Sequence, residues 1–103
     1  MSEMTREEVD KLAGPIVLEF GTSWCSHCRA MQPLLADELE SHPMVRHIKI
    51  EDGPGQRLGR TFHVKQWPTL VFMNEGRIVS LLVRPMADEI AKAFADLLAS
   101  NEH

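Results

Sequence analysis

The stretch S-W-C-S-H-C-R-A-M-Q-P, residues 23–33, contains both cysteines of the chain, Cys25 and Cys28. Trp24 precedes the pair, Ser26 and His27 separate it, and Pro33 follows five residues after Cys28. By spacing alone, Cys-x-x-Cys fits a metal clip, a structural bridge or a redox centre. The flanking segments decide. Upstream, P-I-V-L-E-F at 15–20 is a short apolar run with β-branched residues between Gly14 and Gly21, which reads as a buried strand. Downstream, Met31, Leu35 and Leu39 recur every four residues with Leu34 beside them, which is helical spacing over 25–41. Pro33 falls inside that helix and removes one backbone donor, so a kink is expected there.

The pair therefore opens a helix directly after a buried strand, and that location matters more than the spacing. Unpaired N–H groups and the positive end of the macrodipole stabilise a thiolate at a helix N-terminus. Cysteines so placed have a lowered pKa, and the thiolate is the attacking species in disulfide exchange. Cys25, nearer the helix end, is expected to be the more exposed of the two and the nucleophile. Cys28, one turn further in, is expected to be shielded and to resolve the mixed disulfide. A structural zinc needs four protein ligands, and two cysteines with an adjacent His27 do not supply them, so no metal site is expected. Arg29 rather than histidine follows Cys28, which excludes a haem-attachment motif.

Outward from this centre the chain alternates. Thr5 and Glu8 form a capping box, with Met4 placed to staple onto Val9, so a short helix precedes the first strand and stops at Gly14-Pro15. M-V-R-H-I-K-I-E at 44–51 is strand-like, with Ile48 and Ile50 on one face. D-G-P-G at 52–55 turns the chain, and 56–63 reads as a short helix. T-L-V-F-M-N at 69–74 and R-I-V-S-L-L-V at 77–83 flank a turn and read as a hairpin. The last segment carries Ile90, Phe94, Leu97 and Leu98 on one stripe, an amphipathic helix. The order α-β-α-β-α-β-β-α implies a right-handed parallel βαβ unit with antiparallel strands added by the hairpin. Near-continuous apolar strands imply helices on both faces of the sheet.

At 103 residues the chain is read as a single domain, 1–103, with one ordinary core. The 44% apolar and 25% charged composition is that of a globular protein, and a net charge of -4 gives no basic footprint for nucleic acid. No apolar stretch reaches the length of a membrane helix. The start, M-S-E-M-T-R-E-E-V-D-K-L-A-G, lacks the basic and apolar regions of a secretory signal, so a cytoplasmic protein is expected. A reducing compartment argues against a permanent structural disulfide. His42, His63 and His103 read as surface residues, and Arg57, Arg60, His63 and Lys65 as a solvated face.

Taken together, the strand I-V-L-E-F, then W-C-S-H-C, Pro33, W-P-T at 67–69 and the hairpin with Gly76 resemble the thioredoxin family over about residues 4–100. The resemblance implies a thioredoxin-like α/β fold: a central mixed sheet flanked by helices on both faces. A strand before Thr5 has no room, so four strands are expected, with the five of a full-length thioredoxin as the alternative. It implies that Pro68 is cis and lies against the dithiol, with the Trp67 backbone pairing to an extended substrate segment. It also implies dithiol–disulfide exchange with protein substrates, no bound cofactor, and recharging by a thioredoxin-reductase-type donor, the protein acting as a monomer.

Three departures stand out. Ser26-His27 replaces the Gly-Pro of ordinary thioredoxins and is similar to the disulfide isomerases and periplasmic oxidases. Glu19 stands where the family carries a buried aspartate that accepts the resolving thiol's proton, and burial among Val17, Leu18 and Phe20 is expected to raise its pKa. His47 stands in place of that acid's lysine partner. His27, with Ser26 and Trp24 beside the pair, is expected to tune it by a hydrogen bond or partial charge toward the Cys25 sulfur. The favoured function is a thiol–disulfide oxidoreductase acting as a disulfide reductase. The alternative is a thioredoxin-fold docking or assembly chaperone for a dedicated partner, with redox activity secondary.

Overall fold

The computed structural model describes residues 4–100; His103 lies outside the described residues. Eight elements follow in the order α1 (Arg6–Asp10), β1 (Pro15–Gly21), α2 (Ser26–Ser41), β2 (Arg46–Glu51), α3 (Leu58–Thr61), β3 (Thr69–Asn74), β4 (Arg77–Val83) and α4 (Ala87–Ala99). The four strands form one mixed sheet in the order β2-β1-β3-β4. β1 runs parallel to β2 and antiparallel to β3, and β4 returns antiparallel to β3.

Strand alternation sorts the core into two layers. Val17, Leu70 and Phe72 face α2 and α4, where they meet Met31, Leu35, Ile90, Phe94 and Leu97. Ile16, Leu18, Phe20, Val71 and Met73 face the other way, onto Val9 of α1 and Leu58 and Phe62 around α3. β1 and β3 are central and covered on both sides, which is why they read as unbroken apolar runs. His42 departs from its expected surface position: its ring stacks on Phe94 at 5.2 Å and hydrogen-bonds the Glu38 carbonyl at 2.8 Å. The cause is its place at the C-cap of α2, directly over the α4 stripe.

Local chemistry accounts for the element ends. Thr5 and Glu8 close the capping box of α1, with Met4 packed against the same cluster as Val9. The segment expected as a helix over 56–63 shortens to one turn, because His63 takes a left-handed backbone conformation (φ 60°). The amides of His63 and Val64 then reach back to the Arg60 and Gly59 carbonyls, a Schellman ending. α2 runs through Pro33 as a single element, with Pro33 on its exposed side. There the carbonyl that loses its donor can turn to water.

The β3–β4 hairpin turns on Glu75 (φ 50°) and Gly76 (φ 79°), the two left-handed residues of a type I′ turn. Its tip is docked: the Gly14 amide donates to the Glu75 carboxylate at 2.6 Å, and Gly76 passes directly beneath the Asp10 carbonyl. Gly76→Ala would therefore meet both a disfavoured backbone conformation and the end of α1. It is expected to destabilise the fold by about 1–3 kcal/mol, read as a lower urea midpoint at unchanged slope. An unchanged midpoint would mean that the tip is not held against α1.

Candidate active site

β1 ends at Gly21, and four residues later the chain enters α2. Cys25 occupies the junction as the N-cap of α2, in an extended conformation (φ -82°, ψ 114°). A serine or aspartate oxygen usually accepts the first-turn amides at such a position. Here the Cys25 sulfur does so, accepting from the Cys28 N–H at 3.1 Å. The Cys25 amide is in turn fixed to the Thr22 carbonyl at 3.3 Å. The helix thus begins on a sulfur held against a backbone donor, where the helix dipole favours negative charge.

Both thiols are free and buried, Cys25 at 7% exposure and Cys28 at 3%. Cys28 lies behind Cys25, against Gly21, where a β-carbon would stand 2.6 Å from its sulfur. Gly21 therefore keeps open the space that the inner thiol occupies. The Cys28 pKa is pushed up to about 11, first by burial and then by the hydrogen bond to Cys25. The charges of Cys25 and Glu19 act in the same direction, and the Thr22 backbone opposes them.

Glu19 is 2% exposed in the middle of β1, on the face covered by α2. Its carboxylate accepts from the ring Nε2 of His47 at 2.8 Å and from Gln32 Nε2 at 3.5 Å. The expected rise of its pKa is overturned. Burial does push it up, but the His47 hydrogen bond and charge, with help from Gln32 and Lys49, bring the net value below the ordinary 4.5. The carboxylate is thus a buried charge with a partner rather than a neutral acid. His47 reaches it from the edge strand β2 with its side chain 33% exposed, so the pair connects the core to solvent.

Trp67 and Pro68 directly precede β3, and the peptide bond between them is cis. Three contacts hold Trp67: its indole N–H donates to Asp52 at 2.8 Å, its ring meets Trp24 edge-on at 5.5 Å, and its carbonyl accepts from Arg84 Nε at 2.9 Å. Trp24 is 69% exposed and offers its other surface to solvent beside the pair. Ser26 and His27 are exposed on the first turn of α2. His27 does not donate to the Cys25 sulfur. His27 lines a groove together with Ala30, Met31, Leu34, Pro68, Arg84 and Met86. The sulfur takes its hydrogen bond from the Cys28 amide instead.

The reading of the sequence missed Gly21, Gln32, Asp52 and Arg84. No motif announces them, since each acts only through a neighbour that the fold supplies.

The thioredoxin family model matches residues 2–96. The chain belongs to the thioredoxin family. A thioredoxin H-type of Ricinus communis is 31% identical over 87 residues, covering 84% of this chain and 74% of that protein. Thioredoxin H5 of Arabidopsis thaliana is 37% identical over 75 residues, covering 73% of this chain and 64% of that protein. Among solved structures, reduced thioredoxin 2 from Pseudomonas aeruginosa PAO1 superimposes with a TM-score of 0.83 at 52% identity, covering 95% of this chain and 92% of that one. Thioredoxins are thiol–disulfide oxidoreductases, and so is this chain; its Cys25–Cys28 pair is consistent with a Cys-x-x-Cys redox site. Among the described residues, no helix is long and apolar enough to cross a membrane.

The two cysteines are coupled, and that coupling is measurable. Alkylation of Cys28 in the reduced protein is expected to titrate with a midpoint near 11. In Cys25→Ala the hydrogen bond and charge of the outer sulfur are gone, so the midpoint should move down toward the ordinary thiol value. A midpoint that stays in place would leave burial as the sole cause.

Proposed function

We propose that the chain reduces protein disulfides, with Cys25 as nucleophile and Cys28 as resolving thiol. The observation that carries this is the placement of the two sulfurs. Cys25 caps α2 with its sulfur over the first-turn amides, and Cys28 lies one turn further in, in space that Gly21 keeps open. The Cys25 thiolate attacks one sulfur of a substrate disulfide. That bond breaks, a mixed disulfide forms, and the second substrate sulfur leaves as a thiolate. Cys28 then gives up its proton and attacks the Cys25 sulfur, releasing the first substrate sulfur and closing the Cys25–Cys28 bond. Two electrons pass to the substrate, and its two sulfurs take up protons.

Two of the influences that keep Cys28 protonated come from Cys25 itself. Once Cys25 is in the mixed disulfide it no longer carries charge, and its sulfur is a poorer acceptor. Cys28 thus becomes more acidic at the step that needs its thiolate. Glu19 accepts the proton released there and returns it, acting with His47, whose solvent-facing ring links the buried carboxylate to water. The pairing replaces simple acid–base matching, because a carboxylate held charged is by itself a weak base for a thiol.

Substrate lies against Trp67 and Pro68 as an extended segment paired to the Trp67 backbone, with Trp24, Ser26 and His27 forming the rim that tunes access to Cys25. The electrons travel in the dithiol, so no cofactor is required, and a thioredoxin-reductase-type donor recharges it. We place the protein in a reducing, cytoplasmic setting as a monomer. Both cysteines serve exchange, which leaves the fold independent of any structural disulfide.

Insulin-disulfide reduction with dithiothreitol tests the proposal. Turnover should vanish in Cys25→Ser, while Cys28→Ser should accumulate mixed disulfides with substrate. A stoichiometric complex that forms equally well with Cys25→Ser would instead give the docking-chaperone function. Glu19→Gln should slow release from the mixed disulfide by about ten- to a hundredfold and leave the first attack unchanged, as followed by single-turnover quench. Equal slowing of both steps would remove Glu19 from proton transfer.

A further inference from the structure

Arg84 follows β4 directly and has a backbone conformation that favours glycine (φ 48°). A non-glycine residue there carries a conformational cost, and such residues persist where the surroundings hold them. The surroundings here are the Trp67–Pro68 segment. The Arg84 amide donates to the Pro68 carbonyl at 2.9 Å, and its side-chain Nε donates to the Trp67 carbonyl at 2.9 Å. Among the described residues, no carboxylate pairs with its guanidinium, which lies exposed on the rim of a groove of about 210 Å³. Met31, Leu34, Pro68 and Met86 form the apolar wall, His27 stands opposite, and no carboxylate lines it. On a chain of net charge -4, this groove beside the dithiol has the opposite electrostatic character.

We propose that Arg84 is a specificity gate that admits disulfides flanked by acidic residues. The inference rests on substrate pairing with the Trp67 backbone. In the free protein, one of the two pairing groups, the carbonyl, is already occupied by Arg84. A substrate carboxylate offers the guanidinium a charge-assisted, bidentate partner, which is stronger than a neutral carbonyl. Arg84 then turns to the carboxylate, and the Trp67 carbonyl is released to accept a substrate amide. A neutral or basic segment offers no such exchange, and its amide has to share the Trp67 carbonyl with Arg84, which leaves a poorer acceptor.

The test uses two peptides of one sequence that contain an intramolecular disulfide, one flanked by glutamates and one by lysines, with a serine-flanked control. Two readouts are taken: kcat/KM for reduction, and the Kd of the matching peptides with both cysteines as serine. Wild type should favour the glutamate peptide over the serine peptide by about fivefold, the value of a partly exposed charge pair, and the preference should shrink with added salt. Arg84→Gly suits the local backbone and should abolish the preference while improving the serine peptide, because the carbonyl is now free. Arg84→Asn, which also tolerates this conformation, should behave in the same way. A preference that survives in both variants, or a serine peptide that worsens in both, overturns the gate. If wild type reduces none of the peptides but retains the Kd preference, the reductase function fails and the gate stands.

Discussion

A sulfur atom that caps a helix places two demands on one position. As a cap, Cys25 must stay in extended backbone with its side chain folded over the first-turn amides. As the nucleophile proposed above, it must also be reached by a substrate disulfide. Both demands hold only because β1 delivers the chain to this point from a fully covered central strand, and because Thr22 anchors the Cys25 amide. The sheet order serves the same end. With β1 and β3 adjacent at the centre, the end of β1 and the start of β3 lie side by side, which brings Trp24 and Trp67 into ring contact from more than forty residues apart.

The layer beneath the site carries the price of that chemistry, a charge inside the core. Glu19 is as buried as its apolar neighbours, and a lone carboxylate there would be neutral. His47 changes the outcome because β2 is an edge strand. In parallel register it stands beside Val17 on the same face as Glu19, close enough for a 2.8 Å hydrogen bond and far enough out to remain wet. A partner on a central strand would itself have been desolvated, and the pair would have cost more than it returned. The edge position makes a buried anion tolerable, and that anion in turn raises the pKa of the resolving thiol.

Much of this was legible in the residues, and the pattern of what was not is instructive. β3 and β4 were readable to the residue because alternation and turn chemistry agree there. The cysteine pair was readable because a buried strand and a periodic helix bracket it. The helix at 56–63 was overlong, since nothing in its composition marks His63 as the left-handed residue that ends it. The direction of the Glu19 shift was misread for a similar reason: burial can be inferred from neighbours in sequence, whereas compensation comes from β2 and α2. His27 is placed beside the pair by the sequence, but the Cys25 sulfur takes its hydrogen bond from the Cys28 amide, and His27 lines the neighbouring groove instead. Adjacency in sequence is a poor guide to contact within the first turn of a helix.

Trp67, where the proposed substrate would pair, shows how a residue can be rigid without being buried. Its indole, its ring edge and its carbonyl are each held by a different part of the chain: Asp52 after β2, Trp24 before α2 and Arg84 after β4. Asp52 is itself seated over Gly59, so α3 braces the tryptophan indirectly. Fixing one residue from three directions removes the rotamer freedom that would otherwise be lost on binding. The backbone beside it is then presented in one geometry to every substrate. Of the three supports, Arg84 alone holds the backbone carbonyl rather than the indole, so it is the one that can let go without unseating the ring.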